Sequence, residues 1–200
     1  MDRETLTQAM CSLLFVEVEA SGRHVHLTET QALTLFGHGL TPDKPLSQPG
    51  QYAAKERVTL RGPKGEFQNV AVLGPCRSSA QVEISLTDGR ILGLTPPVRL
   101  SGDTAGTPGC ELLGPRGRIT LDRGVIAAQR HIHLSAEDAA RRGLKDRQVV
   151  RLKLFTPRPL VFEDVVVRVS PDFAPAAHID YDEANACAFS KGAFGMIVHG

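Results

Sequence analysis

Alternation of apolar and polar residues dominates this chain. FVEVEAS (15–21) turns Val16 and Val18 to one face and Glu17 and Glu19 to the other, which is the period of a half-buried strand. VTLRGPKGEFQNVAVLGP (58–75) and VRLKLFTPRPLVFEDVVVRVSP (150–171) have a common plan. Each reads as a strand and a turn, then Phe, two polar residues and a Val-x-Val strand that ends in Gly-Pro or Ser-Pro. RGPKGE, LTDGR, LGPRGR and TPRP mark tight turns. PDKPLSQPGQY (42–52) is too rich in proline for regular structure and predicts a loop. Helical spacing appears at Leu6, Met10, Leu13 and Leu14, which predicts a short amphipathic N-terminal helix that docks on the body or on a partner. Thr28 with Gln31, and Ser135 with Asp138, have capping-box spacing and predict two more helix starts. The pattern is mainly β with short helices, as barrels or sandwiches.

One hexapeptide occurs twice: RHVHLT from Arg23 and RHIHLS from Arg130. Each follows strand-like sequence and precedes a helix start, so each is expected to end a strand. There, residues two apart share a face. His24 and His26 then project together, as do His131 and His133, with Val25 and Ile132 turned to the core. In a helix the two rings of each pair would diverge by about 200°. Glu83 lies eight residues past Pro75 and His178 seven past Pro171, so each half of the chain holds a third metal-competent side chain at a comparable place. Two His with Glu, and three His, are zinc ligand sets that leave a coordination position open. The repeat therefore predicts an internally duplicated fold with two metal half-sites. His38, in a Gly-flanked turn, and His199, beside the terminus, read as ordinary surface histidines.

Composition narrows the setting. With 200 residues, 42% hydrophobic and 22% charged, the chain can bury a core. A net charge of +1 carries no bias toward nucleic acid or an anionic membrane, so an anionic ligand must meet a local cluster. MDRETLTQAMCSLLF lacks the basic-then-apolar plan of a signal peptide, and no apolar run is long enough to span a bilayer. Cys11, Cys76, Cys110 and Cys187 are widely spaced with no CxxC, which fits a reduced, cytoplasmic protein. Arg77, after a Gly-Pro turn and six residues before Glu83, is a candidate clamp for phosphate or carboxylate, because its planar fork donates paired hydrogen bonds. Lys44 could reach an anion from its loop, and Ser101 reads as part of a simple turn. Asp180 is expected to orient the His178 imidazole, and Asp182 and Glu183 to complement a helix N-terminus.

Together RHVHLT, the QPGQYA loop, NVAVLGPCRSSAQVEIS, RLSGDTAGTPG, GVIAAQRHIHLS and HIDYDEANA resemble the PduL family of phosphotransacylases, the phosphate propanoyltransferases of bacterial microcompartments. The resemblance runs from about residue 15 to 190. It implies two β-barrels related by internal duplication and capped by short α-helices. The first would combine 12–22 with 129–200 and the second 23–128, with 1–11 an N-terminal helix and candidate encapsulation segment. It implies a dinuclear site, most simply with two Zn2+ per chain, held by His24, His26 and Glu83 and by His131, His133 and His178. Arg77 looks like the phosphate-binding, catalytic arginine of the family, and Ser21, Lys44 and Asn185 stand at positions associated with coenzyme A contact. The implied reaction is acyl-CoA, propanoyl-CoA or similar, plus phosphate giving acyl phosphate plus CoA. Implied partners are these substrates and microcompartment shell or core proteins; nucleic acid and membrane are not implied, and a homo-oligomer is allowed. The stretch before the first histidine motif is shorter than the encapsulation extensions of some relatives. Tyr181 stands where a smaller polar residue is expected, which bears on the acyl or CoA pocket. Two rivals stay open on the residues alone: a zinc-dependent acyl-CoA thioesterase and a zinc-stabilised scaffold without catalysis.

Overall fold

The computed structural model of the protein describes residues 2, 4 and 13–198. The elements begin with β1 (Phe15–Ser21), β2 (His24–His26), α1 (Glu29–Phe36), β3 (Pro42–Pro45), β4 (Tyr52–Arg61) and β5 (Glu66–Gly74). Next come β6 (Gln81–Glu83), α2 (Leu86–Leu92), β7 (Val98–Arg99), β8 (Cys110–Leu113), β9 (Arg118–Leu121) and β10 (Val125–Ala128). The chain ends with β11 (His131–Leu134), α3 (Ala136–Arg142), β12 (Val149–Leu154), β13 (Val161–Val169), β14 (Ala176–Asp180), α4 (Tyr181–Ala186) and β15 (Phe194–Val198).

The chain divides into two compact units. A terminal unit joins the stretch up to Ser21 to the stretch from Gln129 onward; the central unit is Gly22–Ala128. In the terminal unit six strands close into a barrel in the order β1-β14-β11-β13-β12-β15. In the central unit nine strands form one curled sheet in the order β7-β10-β6-β2-β5-β4-β8-β9, with β3 alongside β4. The expected architecture of two helix-capped barrels holds, the central one remaining open at β7 and β9. Each unit has its own core. Val18, Ile132, Leu134, Leu152, Leu154 and Val167 are buried in one, and Val25, Leu27, Leu35, Leu60, Val72 and Leu112 in the other. Each such side chain contributes about 1.5–3 kcal/mol relative to exposure.

A four-strand module recurs. In the central unit β2 runs parallel to β5 and antiparallel to β6, with β10 parallel to β6. In the terminal unit β11 runs parallel to β13 and antiparallel to β14, with β1 parallel to β14. Here the structure departs from the expectation that the hexapeptide ends the preceding strand. β1 precedes β2 directly yet belongs to the other unit, and β10 stands in the same relation to β11. Each histidine pair opens a new three- or four-residue strand just after the chain passes from one unit to the other.

Two further readings are corrected. Pro42–Pro45 is not loop but an exposed strand, with Lys44 opposite Ala53 and a register shift beside it. Proline is tolerated there because a strand at a sheet margin can leave its missing N–H toward solvent. LTDGR is not a turn but most of helix α2, started by a Ser85/Asp88 capping box. Its internal glycine is required by packing, since a Cβ on Gly89 would come within 2.7 Å of the Pro96 ring. Of the N-terminal apolar stripe, Leu6 and Met10 lie outside the described residues, as do Cys11 and His199. Leu13 and Leu14 are helical and exposed.

Candidate metal centre

Short strands hold the candidate ligands. Val25 and Ile132 are fully buried, which turns the flanking histidines of each pair to the opposite face. The third residue of each set comes from the antiparallel neighbour, in register: Glu83 faces His24 and His178 faces His131. In each set the ligand atoms lie within 4.8 Å of one another. In the central unit Glu83 approaches His24 Nε2 to 3.6 Å and His26 Nε2 to 4.0 Å. In the terminal unit the ring centroids lie 4.6 Å (His131–His133), 5.1 Å (His131–His178) and 4.7 Å (His133–His178) apart.

The donor chemistry fits divalent ions. His24 Nδ1 lies 2.9 Å from the Gly22 carbonyl, and His131 Nδ1 lies 2.8 Å from that of Gln129. A carbonyl only accepts, so Nδ1 carries the proton and the neutral ring presents Nε2 as its ligand nitrogen. These carbonyls lie in the short linkers that precede β2 and β11, so the same local geometry orients both rings.

The two histidines of the first pair are shifted in opposite directions. Burial opposes charge on His24, but the Glu83 carboxylate and the Gly22 carbonyl outweigh it and raise its pKa. Burial pushes His26 down to about 3, with the charges of His24 and Arg77 acting in the same direction. His26 is thus held neutral, as a ligand must be. In both rings the Arg77 charge is felt.

Arg77 is half-buried, and its Nη1 donates to Ser101 Oγ at 3.1 Å. Ser101 is more than a turn residue, since its Oγ also accepts from Gln81 Nε2 at 2.8 Å. Gln81, buried in β6, donates from the same nitrogen to Glu83 Oε1 at 2.6 Å and accepts from the Gly102 N–H at 2.7 Å. It therefore links the third ligand to the arginine through one hydroxyl. Sequence reading missed Gln81; the signal was its place two residues before Glu83, on the same strand face.

Asp180 does not orient His178. Its side chain is the N-cap of α4 and accepts from the Glu183 N–H at 2.8 Å, while Glu183 returns a bond to the Asp180 N–H. Burial, with the Glu183 and Asp182 carboxylates nearby, pushes the Asp180 carboxyl up to about 6 against the backbone N–H groups it accepts from. The acid beside His178 is Glu19 of β1, 3.6 Å from Nδ1 and opposite it in register. Phe173 was also missed; its ring stacks on His133 at 3.9 Å between centroids. Of the residues assigned to coenzyme A, Ser21 ends β1 opposite Asp180, Asn185 is exposed on α4, and Lys44 is exposed on β3. Tyr181 is exposed at the start of α4. No described helix is long and apolar enough to cross a membrane.

Comparison with known proteins shows the family. The chain is 57% identical over 184 residues to the phosphate propanoyltransferase of Enterococcus faecalis, covering 91% of this chain and 87% of that protein. It is 54% identical over 186 residues to the one from Clostridioides difficile, covering 92% and 89%. With the one from Thermotoga maritima it shares 52% over 184 residues, covering 90% and 88%. A family model described as phosphate propanoyltransferase matches residues 17–190. On this match and on the relatives' identity over most of its length, the chain belongs to the phosphate propanoyltransferase family of acyltransferases.

Proposed function

We propose that the protein interconverts a short-chain acyl-CoA, propanoyl-CoA or a near homologue, plus phosphate with acyl phosphate plus CoA. In this reading His24, His26 and Glu83 hold one divalent ion and His131, His133 and His178 a second, with zinc the natural occupant of such sets. What carries the reading is the recurrence of one three-ligand cluster in each unit of a chain from this family. When bound, such ions supply Lewis-acid charge for a thioester carbonyl or a phosphate oxygen.

The chain's own residues do the rest. Arg77, tethered by Ser101, presents its fork to phosphate and turns a bimolecular encounter into a positioned one. A phosphate oxygen forms the new C–O bond, the C–S bond breaks, and the proton of hydrogen phosphate leaves with the sulfur as the free thiol. Direct attack suits the cysteines present. Burial pushes Cys110 up to about 12 and also raises Cys76 and Cys187, so none of the three is poised as a thiolate nucleophile. Ser21, Lys44 and Asn185 contact coenzyme A in this scheme.

The test is release of free thiol from a panel of acyl-CoAs with phosphate present or omitted, beside elemental analysis. Phosphate-dependent release with close to two divalent ions per chain is expected. Release without phosphate would make the protein a thioesterase, and ions without release would make it a scaffold. The same reading places the enzyme inside a bacterial microcompartment, its N-terminal segment docking on a shell or core protein; the exposed Leu13 and Leu14 support this. Deleting residues 1–14 should then abolish co-purification with shells and spare activity.

A further inference from the structure

The arginine that opens each histidine hexapeptide has no part in the chemistry above, yet both copies are engaged in the same way. Arg23 donates through Nε and Nη2 to the two carboxylate oxygens of Asp88, at 3.1 and 2.7 Å. Arg130 donates through Nη1 to Glu183 at 2.8 Å and through Nε to the Glu163 carbonyl at 2.6 Å. Asp88 and Glu183 each stand five residues after the third ligand, Glu83 or His178. Each is also the acid that closes the capping box of the next helix, with Ser85 or Asp180 as N-cap. A phenylalanine flanks each guanidinium: Phe67 at 4.0 Å from Arg23 and Phe162 at 5.4 Å from Arg130. Phe67 and Phe162 begin the corresponding Val-x-Val segments of β5 and β13, the parallel neighbours of the histidine strands.

We propose that Arg23 and Arg130 are positioning residues for the two metal half-sites, each locking the strand of the first ligand to the capped helix that follows the third. The physical reason lies in leverage. β2 and β6 have three residues each, too short for their own ladder to fix two side chains rigidly. The ion pair sits one residue from His24 and spans the same two chain segments as the His24–Glu83 pair. The capping box fixes the acid, so the arginine pulls the strand against a rigid anchor. The terminal unit repeats the arrangement with His131 and His178. The clamps differ in one respect: Asp88 receives a two-pronged contact, Glu183 a single one. Lysine, a point charge, should replace Arg130 better than Arg23.

This inference rests on the metal reading, and its test separates the two. The full-length protein is stripped and titrated with zinc, and with cobalt(II), against a chelating competitor. Glu83→Ala and His178→Ala assign the two binding steps. Arg23→Met is expected to weaken the central-unit step about tenfold to a hundredfold, as loss of a ligand-orienting contact does. It should shift the cobalt absorption of that site and leave the other step at its wild-type value. Arg130→Met should give the mirror image. Asp88→Asn and Glu183→Gln should reproduce the effects of their partners, and Arg23→Met with Asp88→Asn should be no worse than the worse single change. Should Arg23→Met not fold, Asp88→Asn, which conserves volume, carries the same outcomes. Folded variants that retain both wild-type affinities would overturn the clamp alone. Both steps weakening equally, with a lower melting temperature, would reduce it to general stabilisation. Wild-type protein that binds neither ion would overturn the metal reading and this inference with it.

Discussion

The central and terminal half-sites are built on one scaffold and differ at three related positions. The third candidate ligand is Glu83 in one and His178 in the other. The residue facing it from the adjacent parallel strand is Ile126 in the central unit and Glu19 in the terminal unit. Two residues past the Pro that ends the Val-x-Val segment stands Arg77 in one half and Phe173 in the other. A carboxylate thus belongs to each cluster, as a candidate ligand in one and as a neighbour of a ligand imidazole in the other. The Arg77 charge bears on His24 and His26, whereas the Phe173 ring lies against His133. Strand order and register are held constant while charge is redistributed. The central half thus has a cation where the terminal half has an aromatic ring.

The largest effect should come from removing a third ligand. His178→Ala is expected to lower kcat roughly 10³-fold with little change in either Michaelis constant, the scale of losing one electrostatic stabiliser. Glu83→Ala should lower activity together with metal content, and added zinc should partly restore both. Steady-state kinetics and elemental analysis across a zinc titration check the pair. Near-wild-type turnover by a His178→Ala protein holding one ion would break the comparison, because a single half would then suffice.

Next in size is the Arg77/Phe173 contrast. Arg77→Ala should raise the phosphate KM about 10- to 100-fold and the acyl-CoA KM far less, as expected for charged hydrogen bonds. Lysine should rescue it poorly for want of the fork. Phe173→Ala should leave the phosphate KM unchanged. Equal responses to the two substitutions would show that the halves are not specialised.

A pH experiment on metal-free protein sharpens the electrostatic side. His26 is held at about 3 against an ordinary 6.5, so the stability it contributes is present above pH 6.5 and is lost as pH falls toward 3. His24, being raised, works the other way: its contribution is present below 6.5 and is lost as pH rises through its folded value. Comparison with His26→Gln isolates the first effect. Between pH 6 and 4 the wild type should lose about 1.4 kcal/mol more per pH unit than the variant in urea unfolding. Parallel pH profiles would show that His26 is not held neutral by the fold.

The smallest expected effect is that of Glu19→Gln. Glu19 is about one-third exposed and 3.6 Å from His178, so the change should weaken metal binding in the terminal half by about tenfold or less. The central half should not respond. A chelator competition that finds both steps altered would remove Glu19 from the account of the difference.

Much of this was legible locally. Alternation set the strands, Val25 and Ile132 between histidines implied paired projection, and the Thr28/Gln31 spacing is a realised capping box. Two misreadings were local as well. Capping by Ser85 and Asp88 makes a helix of the stretch that Asp-Gly suggested was a turn. Asp180 went to its own helix rather than to His178, because a nearby backbone N–H is a surer partner than a side chain two residues back. Cross-strand neighbours could not be read at all. Glu19 meets His178, and Gln81 meets Ser101, only through pairings between segments far apart in the chain.

By itself the sequence determined the buried face of the alternating strands and that the plan is duplicated. These follow from steric periodicity and from hydrogen bonds within a few residues. Only the tertiary structure decided that β1 leaves the histidine strand it precedes to pair with β14, and that β10 likewise pairs with β6. An alternating strand specifies its buried face but carries no address for its neighbour. Register and partner are chosen by the packing of the whole sheet. That choice is what set Glu19 beside His178 and Ile126 beside Glu83, giving two copies of one motif different electrostatic surroundings.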